Sequence, residues 1–417
     1  MTLFRWRLLC LAVVLMPASI IAQSQTITLE QAVELLKENS LQLELFRQEM
    51  LQKQGEAIQS SAWPNPQFRV SREQLNRGTI DYHETTVQIS QPVEILGQSF
   101  LRNRRSSHIE DAAELEFRYS GDLLTERVRT LYTDYWKAMK IVQAYDETLN
   151  VIKTSMESAR ARQAEGTFSG LDAQRFAIEF NRYNRLRNEL ETEAHQRKQE
   201  LISLIQPNAE HPQDIDFDDS FSVEPLPLEK EKLIQYASSN RTDLNALERQ
   251  REANELRYKI EKRNRIPALN LDFGYKNQSD GSEGFVFGGS VTIPLFNQNR
   301  GNIAEARAGT RSAETSVQIQ REVIQNQIEV TVQTVEILYR QWEQIEQYPD
   351  TESMLKTAES AYQDGRYSLI ELLDAAKAWL DDQTNRINTI SAYNKALFEL
   401  DRMTSGIILS TQNHSEQ

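Results

Sequence analysis

Apolar side chains recur at alternating steps of four and three along Leu124, Val128, Leu131, Tyr135, Ala138, Val142, Tyr145, Leu149 and Ile152. The same rhythm runs through Ile324, Ile328, Thr331, Val335, Leu338, Trp342 and Ile345. A third stripe passes through Leu373, Ala376, Leu380, Gln383, Ile387 and Ile390. A spacing of ~3.5 residues held over such lengths predicts helices that supercoil about partners. Taken alone, it fits an ordinary soluble coiled coil.

A pattern of period two interrupts the helical one. Leu269, Leu271, Phe273 and Tyr275 alternate with Asn270, Asp272, Gly274 and Lys276. After Ser279-Asp280-Gly281-Ser282, the return segment sets Phe285, Phe287, Gly289, Val291 and Ile293 on one side. Two alternating stretches of ~9 to 11 residues joined by a Gly/Asp turn match a membrane β-hairpin. A weaker hairpin sends Phe68 and Val70 out and brings Tyr82, Val87 and Ile89 back. The polar turns, near Asn76 to Asp81 and Gln278 to Glu283, are expected at the cell surface. Four strands cannot close around an open pore, since small closed barrels take ~8. Several identical chains must therefore pool their strands.

The two patterns come twice. Glu38-Asn39-Ser40 and Ser239-Asn240-Arg241 end a helix in each half, and Trp63-Pro64-Asn65-Pro66 and Arg265-Ile266-Pro267 open a strand. Gln91-Pro92-Val93 and Ile293-Pro294-Leu295 close one, and Gly166-Thr167-Phe168-Ser169 is answered by Gly365-Arg366-Tyr367-Ser368. The order is that of a tandem duplication: a first repeat over 23–210 with its hairpin at 67–92, and a second over 228–406 with its hairpin at 267–294. Each half reads as helix, two strands, then two very long helices. Between them, 211–227 holds Pro212, Pro225 and Pro227 among Asp214, Asp216, Asp218 and Asp219. It reads as a surface connection, since proline stops a helix and the acids resist burial. From Ser99 to about Ala164, a continuous helix would reach roughly 100 Å at 1.5 Å per residue.

Residues 1–22 carry Arg5 and Arg7, the apolar run Leu8 to Met16, then Pro17 and the small exit at Ala22, the order of a secretory signal. The run is too short to span a bilayer, which takes ~20 residues. The one cysteine, Cys10, lies inside this leader without the small residues that precede a lipidated cysteine, so no disulfide or lipid anchor is expected. Residues 407–417 form a polar tail. A net charge of −14 argues against nucleic acid, which calls for a basic footprint. After the leader no apolar run approaches 18 residues, so membrane insertion must use β-strands.

These features together resemble the TolC-like outer-membrane efflux family, in its cobalt-zinc-cadmium and copper-silver (heavy-metal) branch. The resemblance covers the chain nearly end to end after the leader. It is carried by the duplicated plan, by Gln91-Pro92-Val93-Glu94-Ile95-Leu96-Gly97-Gln98 leading to Arg102 and Arg105, and most specifically by the strand-to-helix junction Ile293-Pro294-Leu295-Phe296-Asn297-Gln298-Asn299-Arg300-Gly301-Asn302-Ile303-Ala304-Glu305-Ala306. It implies a mixed α and β membrane protein: a homotrimer whose four strands per chain make a twelve-stranded barrel, continued by a helical coiled-coil barrel in the periplasm. An equatorial layer would come from the inter-repeat segment and the C-terminus. It also implies an exit duct in the outer membrane, docked to a periplasmic adaptor and a proton-driven inner-membrane RND pump. The lipidated members keep a cysteine at the mature N-terminus, and here this chain departs from them. A soluble periplasmic coiled-coil adaptor is the alternative, although the strand-rich domain such a protein carries is not visible.

Chemistry of other kinds is missing from the sequence. His83-Glu84-Thr85-Thr86-Val87 lacks the second histidine of a zinc protease, Gly166-Thr167-Phe168-Ser169-Gly170 puts its serine one place late for a nucleophile elbow, and Gly284 to Gly289 lacks the lysine of a phosphate loop. His108, His195, His211 and His414 show no paired ligand spacing. No catalytic residue, cofactor or resident metal is expected.

The candidate site is the periplasmic entrance. The helical hairpins are expected to reverse at Gly166 and Gly365, where glycine accepts a left-handed turn, and these tips would meet the adaptor. Glu371 and Asp374 are neighbours on one helical face, and Asp172 follows the first tip. In a trimer they would form rings of negative charge, a device of cation-passing channels. Equally, these acids fit helix caps or a solvated surface. The resemblance adds a latch, in which Tyr362 and Arg366 bond to Asp172 and hold the tunnel shut. Arg366 sits directly after the glycine rather than one place further on.

Overall fold

The structure is a computed structural model that describes residues 25–78, 80–164, 170–217, 221–347 and 352–409. Strand β1 (Gln25–Ile27) leads into α1 (Leu29–Asn39) and α2 (Leu41–Ser61), then β2 (Gln67–Arg77) and β3 (Ile80–Val93). Two long helices follow, α3 (Gln98–Ala164) and α4 (Gly170–Ile205). After the short strand β4 (Ile215–Phe217) the order recurs with α5 (Lys230–Asn240), α6 (Thr242–Arg263), β5 (Leu269–Gln278) and β6 (Glu283–Val291). The chain then continues as α7 (Arg300–Glu346), α8 (Glu352–Gln363) and α9 (Leu369–Met403). The leader expected at 1–22 lies outside the described residues, as does most of the tail.

The first helices begin where their caps dictate. Thr28 and Gln31 form a capping box, with Thr28 Oγ1 accepting from the Gln31 amide and the Gln31 side chain accepting from the Thr28 amide. One residue, Ser40, then separates two helices: its amide donates to Leu36 O, ending α1, while its hydroxyl accepts from the Leu43 amide and opens α2. In the second half Arg241 occupies the same place. Its guanidinium is buried and grips both carboxylate oxygens of Asp243, at 3.0 and 2.7 Å.

The four longer strands form one antiparallel sheet in the order β2-β3-β5-β6, leaving β2 and β6 as open edges. Its register sorts most side chains by kind, although Arg72 falls in the row of Phe68 and Val70. Phe68 faces Ile89, Val70 faces Val87, Phe273 faces both Ile89 and Phe287, and Tyr275 faces Phe285. Tyr82 does not belong with them: it pairs with Leu75 on the opposite, polar face, because a single step along a strand reverses the side. That polar face carries Glu73, Glu84, Asp272 and Lys276, and the Lys276 ammonium lies 2.5 Å from Glu84. Gly274 is required where it stands, since a Cβ there would come within 2.7 Å of Val87 O on the neighbouring strand.

The helical body holds the cores. Leu124, Val128, Leu131, Tyr135, Ala138, Val142, Leu149 and Ile152 of the first stripe are buried, as are Ile324, Ile328, Thr331 and Val335 of the second. Along α9 the buried line runs through Leu369, Leu372, Ala376, Trp379 and Leu380, so Leu372 rather than Leu373 is its member. The second half also departs from the expectation of two long helices. α7 stops at Glu346, three residues before Pro349, which cannot continue a helix, and α8 and α9 complete the half.

Halfway along the helices lies the equator, and here the reading of 211–227 as mere surface fails. β4 pairs in parallel with β1, and Ile215 and Phe217 are buried. The acids resist burial, but the period-two alternation puts only Asp216 outward between two apolar neighbours. Tyr132 packs edge-on against Phe217 at 5.3 Å and donates its hydroxyl to Ile27 O at 2.8 Å, so one side chain of α3 holds both short strands. On the other side of the body Tyr393 of α9 donates to Glu224 O, and burial pushes its phenol up to about 12.

Candidate functional site

The end of the body remote from the sheet is built from α3, α4, α8 and α9. Leu355, Ala358 and Tyr362 of α8 join Leu369, Leu372, Ala376 and Trp379 of α9 and Phe176 of α4 in one buried cluster. Thr154 of α3 donates to Glu359 of α8 at 2.6 Å, tying the two helical hairpins together.

The second reversal is fixed by backbone chemistry. Gly365 has φ of 74°, its amide donates to Tyr362 O at 3.0 Å, and the Arg366 amide donates to Ala361 O at 2.8 Å. This pair of bonds is a Schellman ending, in which the left-handed residue lets the last carbonyls of α8 find partners. Two residues later Ser368 and Glu371 form a capping box that starts α9, with the Ser368 amide donating to Glu371 Oε2 at 2.7 Å. The same amide holds the Glu371 carboxyl below its ordinary range.

The expected entrance residues therefore part company. Glu371 is a helix cap, the structural option its spacing allowed. The ring of Tyr362 is buried edge-on against Phe176 at 5.7 Å, inside the cluster that joins α8 to α4. Arg366 is exposed and pairs with Asp364 at 2.7 Å within its own turn. Asp374 is exposed one turn beyond Glu371. Gly166 lies outside the described residues, and of Asp172 only its place in the first turn of α4 is described.

Asp374 lies on something the sequence did not reveal. A groove of about 300 Å³ runs between α4 and α9, lined by Arg175, Ile178, Arg182, Ile370, Asp374 and Lys377 among others. Ile178 and Ile370 are 64% and 55% exposed at its edges. The one signal available was that both isoleucines fall off the buried stripes of their helices. Burial pushes the Tyr183 phenol up at the floor of this groove, where Arg182 lies 4.8 Å over its ring. Among the described residues no cluster of His, Cys, Asp or Glu has the makings of a metal site.

Residues 233–406 match the outer membrane efflux protein family. That match lies within the second half of the chain, while the likeness to single relatives extends over nearly all of it. The chain is similar to the cobalt-zinc-cadmium resistance protein CzcC of Cupriavidus metallidurans, with 20% identity over 393 residues and 90% of each chain covered. Among solved structures it resembles the Campylobacter jejuni CmeC outer membrane channel, with a TM-score of 0.80 and 14% identity over 93% of this chain and 88% of that one. The outer membrane protein VceC of Vibrio cholerae matches with a TM-score of 0.74 and 17% identity, over 91% and 96% of the two chains. The fold shared with these outer membrane channels is not that of the soluble-adaptor alternative, which would carry a separate strand-rich domain.

Proposed function

We infer that this chain is the outer-membrane exit duct of a tripartite RND-type efflux system and conducts its cargo passively. The observation that carries the reading is the sheet: one apolar face, one polar face and two open edges. In lipid no backbone polar group goes unpaired, so β2 and β6 must find strands outside this chain. Three copies joined edge to edge give a twelve-stranded barrel, apolar outside and lined by Glu73, Glu84, Asp272 and Lys276 within. The repeated element order suits a tandem repeat, each copy contributing one hairpin to the barrel and one helical hairpin to the periplasmic tunnel.

At the far end the groove suits the helical tip of a periplasmic adaptor, with Ile178 and Ile370 offering apolar contact and Arg175, Asp374 and Lys377 charged partners. The adaptor in turn links the duct to an inner-membrane pump. The cargo we propose is metal ions, by similarity to the cobalt-zinc-cadmium resistance relative. Asp374, in three copies, is the acid we assign to the tunnel entrance, with Asp172 as its counterpart from the first hairpin. Tyr362 and Arg366 brace that entrance from the α8–α9 turn. Channel recording in planar bilayers tests the assignment. Asp374→Ala should weaken block by multivalent cations, and Tyr362→Phe with Arg366→Ser should raise conductance. Unchanged block and unchanged conductance would remove these residues from the gate.

A further inference from the structure

The level where strands give way to helices is held by bonds that reach from one connection to the next. Arg102 pairs with Glu94 and donates to Ala62 O, Arg263 donates to Leu96 O at 2.6 Å, and Asn299 donates to Glu261 O at 2.8 Å. All four connections between sheet and helices are thus fastened at one height.

Two kinds of side chain are left over at that height. The first is apolar: Ile293, Leu295 and Phe296 are 71%, 70% and 100% exposed, and Trp63, Ile95 and Ile266 are exposed as well. By alternation Ile293 continues the face of Phe285, Phe287 and Val291. The second kind is cationic. Arg104, Lys262, Arg265 and Arg307 have no carboxylate within ion-pair distance among the described residues. In a chain of net charge −14, with ion pairs along most of its helices, that concentration is unusual. Lys262 and Arg307 crowd one phenol, each 5.5 Å from the centre of the Tyr258 ring, and Arg307 also donates to its hydroxyl at 3.0 Å. The hydrogen bond from Arg307 holds the Tyr258 phenol below its ordinary range. Nearby Arg105 is largely buried with its Nε unbonded, and Arg257 stands close enough to add like charge.

Exposed apolar side chains beside cations that have no carboxylate partner are what the boundary between acyl chains and phosphates selects. The two kinds are adjacent in sequence at Arg265-Ile266, and Arg300 stands four residues after Phe296. We propose that the cationic patch of Lys262, Arg265 and Arg307, set beneath the collar of Ile293, Leu295 and Phe296, binds the phosphates of anionic phospholipids in the periplasmic leaflet of the outer membrane. This rests on the chain spanning that membrane as a barrel. The apolar collar sinks into the acyl layer, the cations meet the phosphates, and the depth of the duct in the membrane is fixed at the sheet-to-helix junction.

Native mass spectrometry of the assembled protein in non-ionic detergent, titrated with phosphatidylglycerol, phosphatidylcholine or inorganic phosphate, tests this. The protein should retain phosphatidylglycerol in preference to phosphatidylcholine. The triple variant Lys262→Gln, Arg265→Gln, Arg307→Gln should lose it by roughly a hundredfold, about fivefold per cation. The charge-keeping variant Lys262→Arg, Arg307→Lys should retain it and so exclude misfolding as the cause. Equal retention of both lipids, or undiminished binding by the triple variant, overturns the proposal. Full displacement by inorganic phosphate overturns the lipid assignment in favour of a free-anion site. Membrane fractionation separates the outcomes: a protein absent from membranes defeats the barrel reading, while a membrane-bound protein indifferent to phosphatidylglycerol defeats only this one.

Discussion

At the equator the rings of Tyr132, Tyr135 and Phe217 are buried within a single chain, whereas in the sheet Phe68, Phe285 and Phe287 stand 69%, 69% and 76% exposed. Both regions are rich in aromatic and branched side chains. The equator supplies its own apolar surroundings through β1, β4 and α3, and its stability is a property of the chain. The sheet has apolar side chains on one face and polar ones on the other, with nothing of its own to lay against either. In the proposed barrel its surroundings come from lipid and from further strands. A substitution of the same chemical kind should therefore act on different quantities in the two places.

The largest effect is expected at the equator. Tyr132→Ala removes a fully buried ring and its bond to Ile27 O, and should destabilise the helical body by about 3–5 kcal/mol, read from thermal unfolding in detergent. Phe285→Ala, an aromatic truncation in the sheet, should change the same transition by no more than about 1 kcal/mol. Similar losses at both sites would erase the distinction. Phe287→Arg reverses the test: it should leave the helical circular dichroism intact but cost about 2–4 kcal/mol in bilayer insertion, measured by folding into vesicles. Gly274→Val should cost about 1–3 kcal/mol in the same assay, because the added atoms meet Val87 O.

Two smaller effects belong to the α8–α9 turn. Ser368→Ala removes half of the capping box and should cost about 1 kcal/mol, seen as faster proteolysis near Gly365. Glu371 is held below its ordinary carboxyl range by the Ser368 amide. Its share of the cap is therefore complete above the ordinary carboxylate range and is lost as pH falls through the lowered folded value. Proteolysis at the turn should rise over that acidic interval in the native protein, and Glu371→Gln should flatten the rise. A rise of equal size in the variant would assign the pH dependence elsewhere.

What was legible in the sequence follows the same division. Alternation named Phe273, Tyr275, Phe285 and Phe287 as one face, because a membrane strand exposes every second residue to lipid whatever its neighbours do. The heptad steps named Val128, Leu131 and Tyr135, because a long helix seam depends on spacing alone. Tyr82 was misassigned for lack of a register, which only pairing with Leu75 supplies. β4 was missed because three residues are too short for a pattern, and its burial comes from a distant partner, β1. At the entrance, Gly365 and Ser368 could be read from local backbone rules. The ring of Tyr362 meeting Phe176, the turn-bound pair of Arg366 with Asp364, and the groove beside Asp374 all depend on how helices far apart in the chain come together.

The pairing of β1 with β4 also sets an order of events for export. A chain crossing the inner membrane from its N-terminal end delivers Gln25–Ile27 early, and its partner strand only when Ile215–Phe217 emerges. Until then Ile27 and the apolar seam of α3 have no completed equator to enter. Once Phe217 arrives, Tyr132 can engage both strands, but Phe398 of α9 completes the same cluster only when the second half has followed. In the proposed barrel, edge-to-edge joining waits for β6, and the waist is completed later still, when Phe398 emerges.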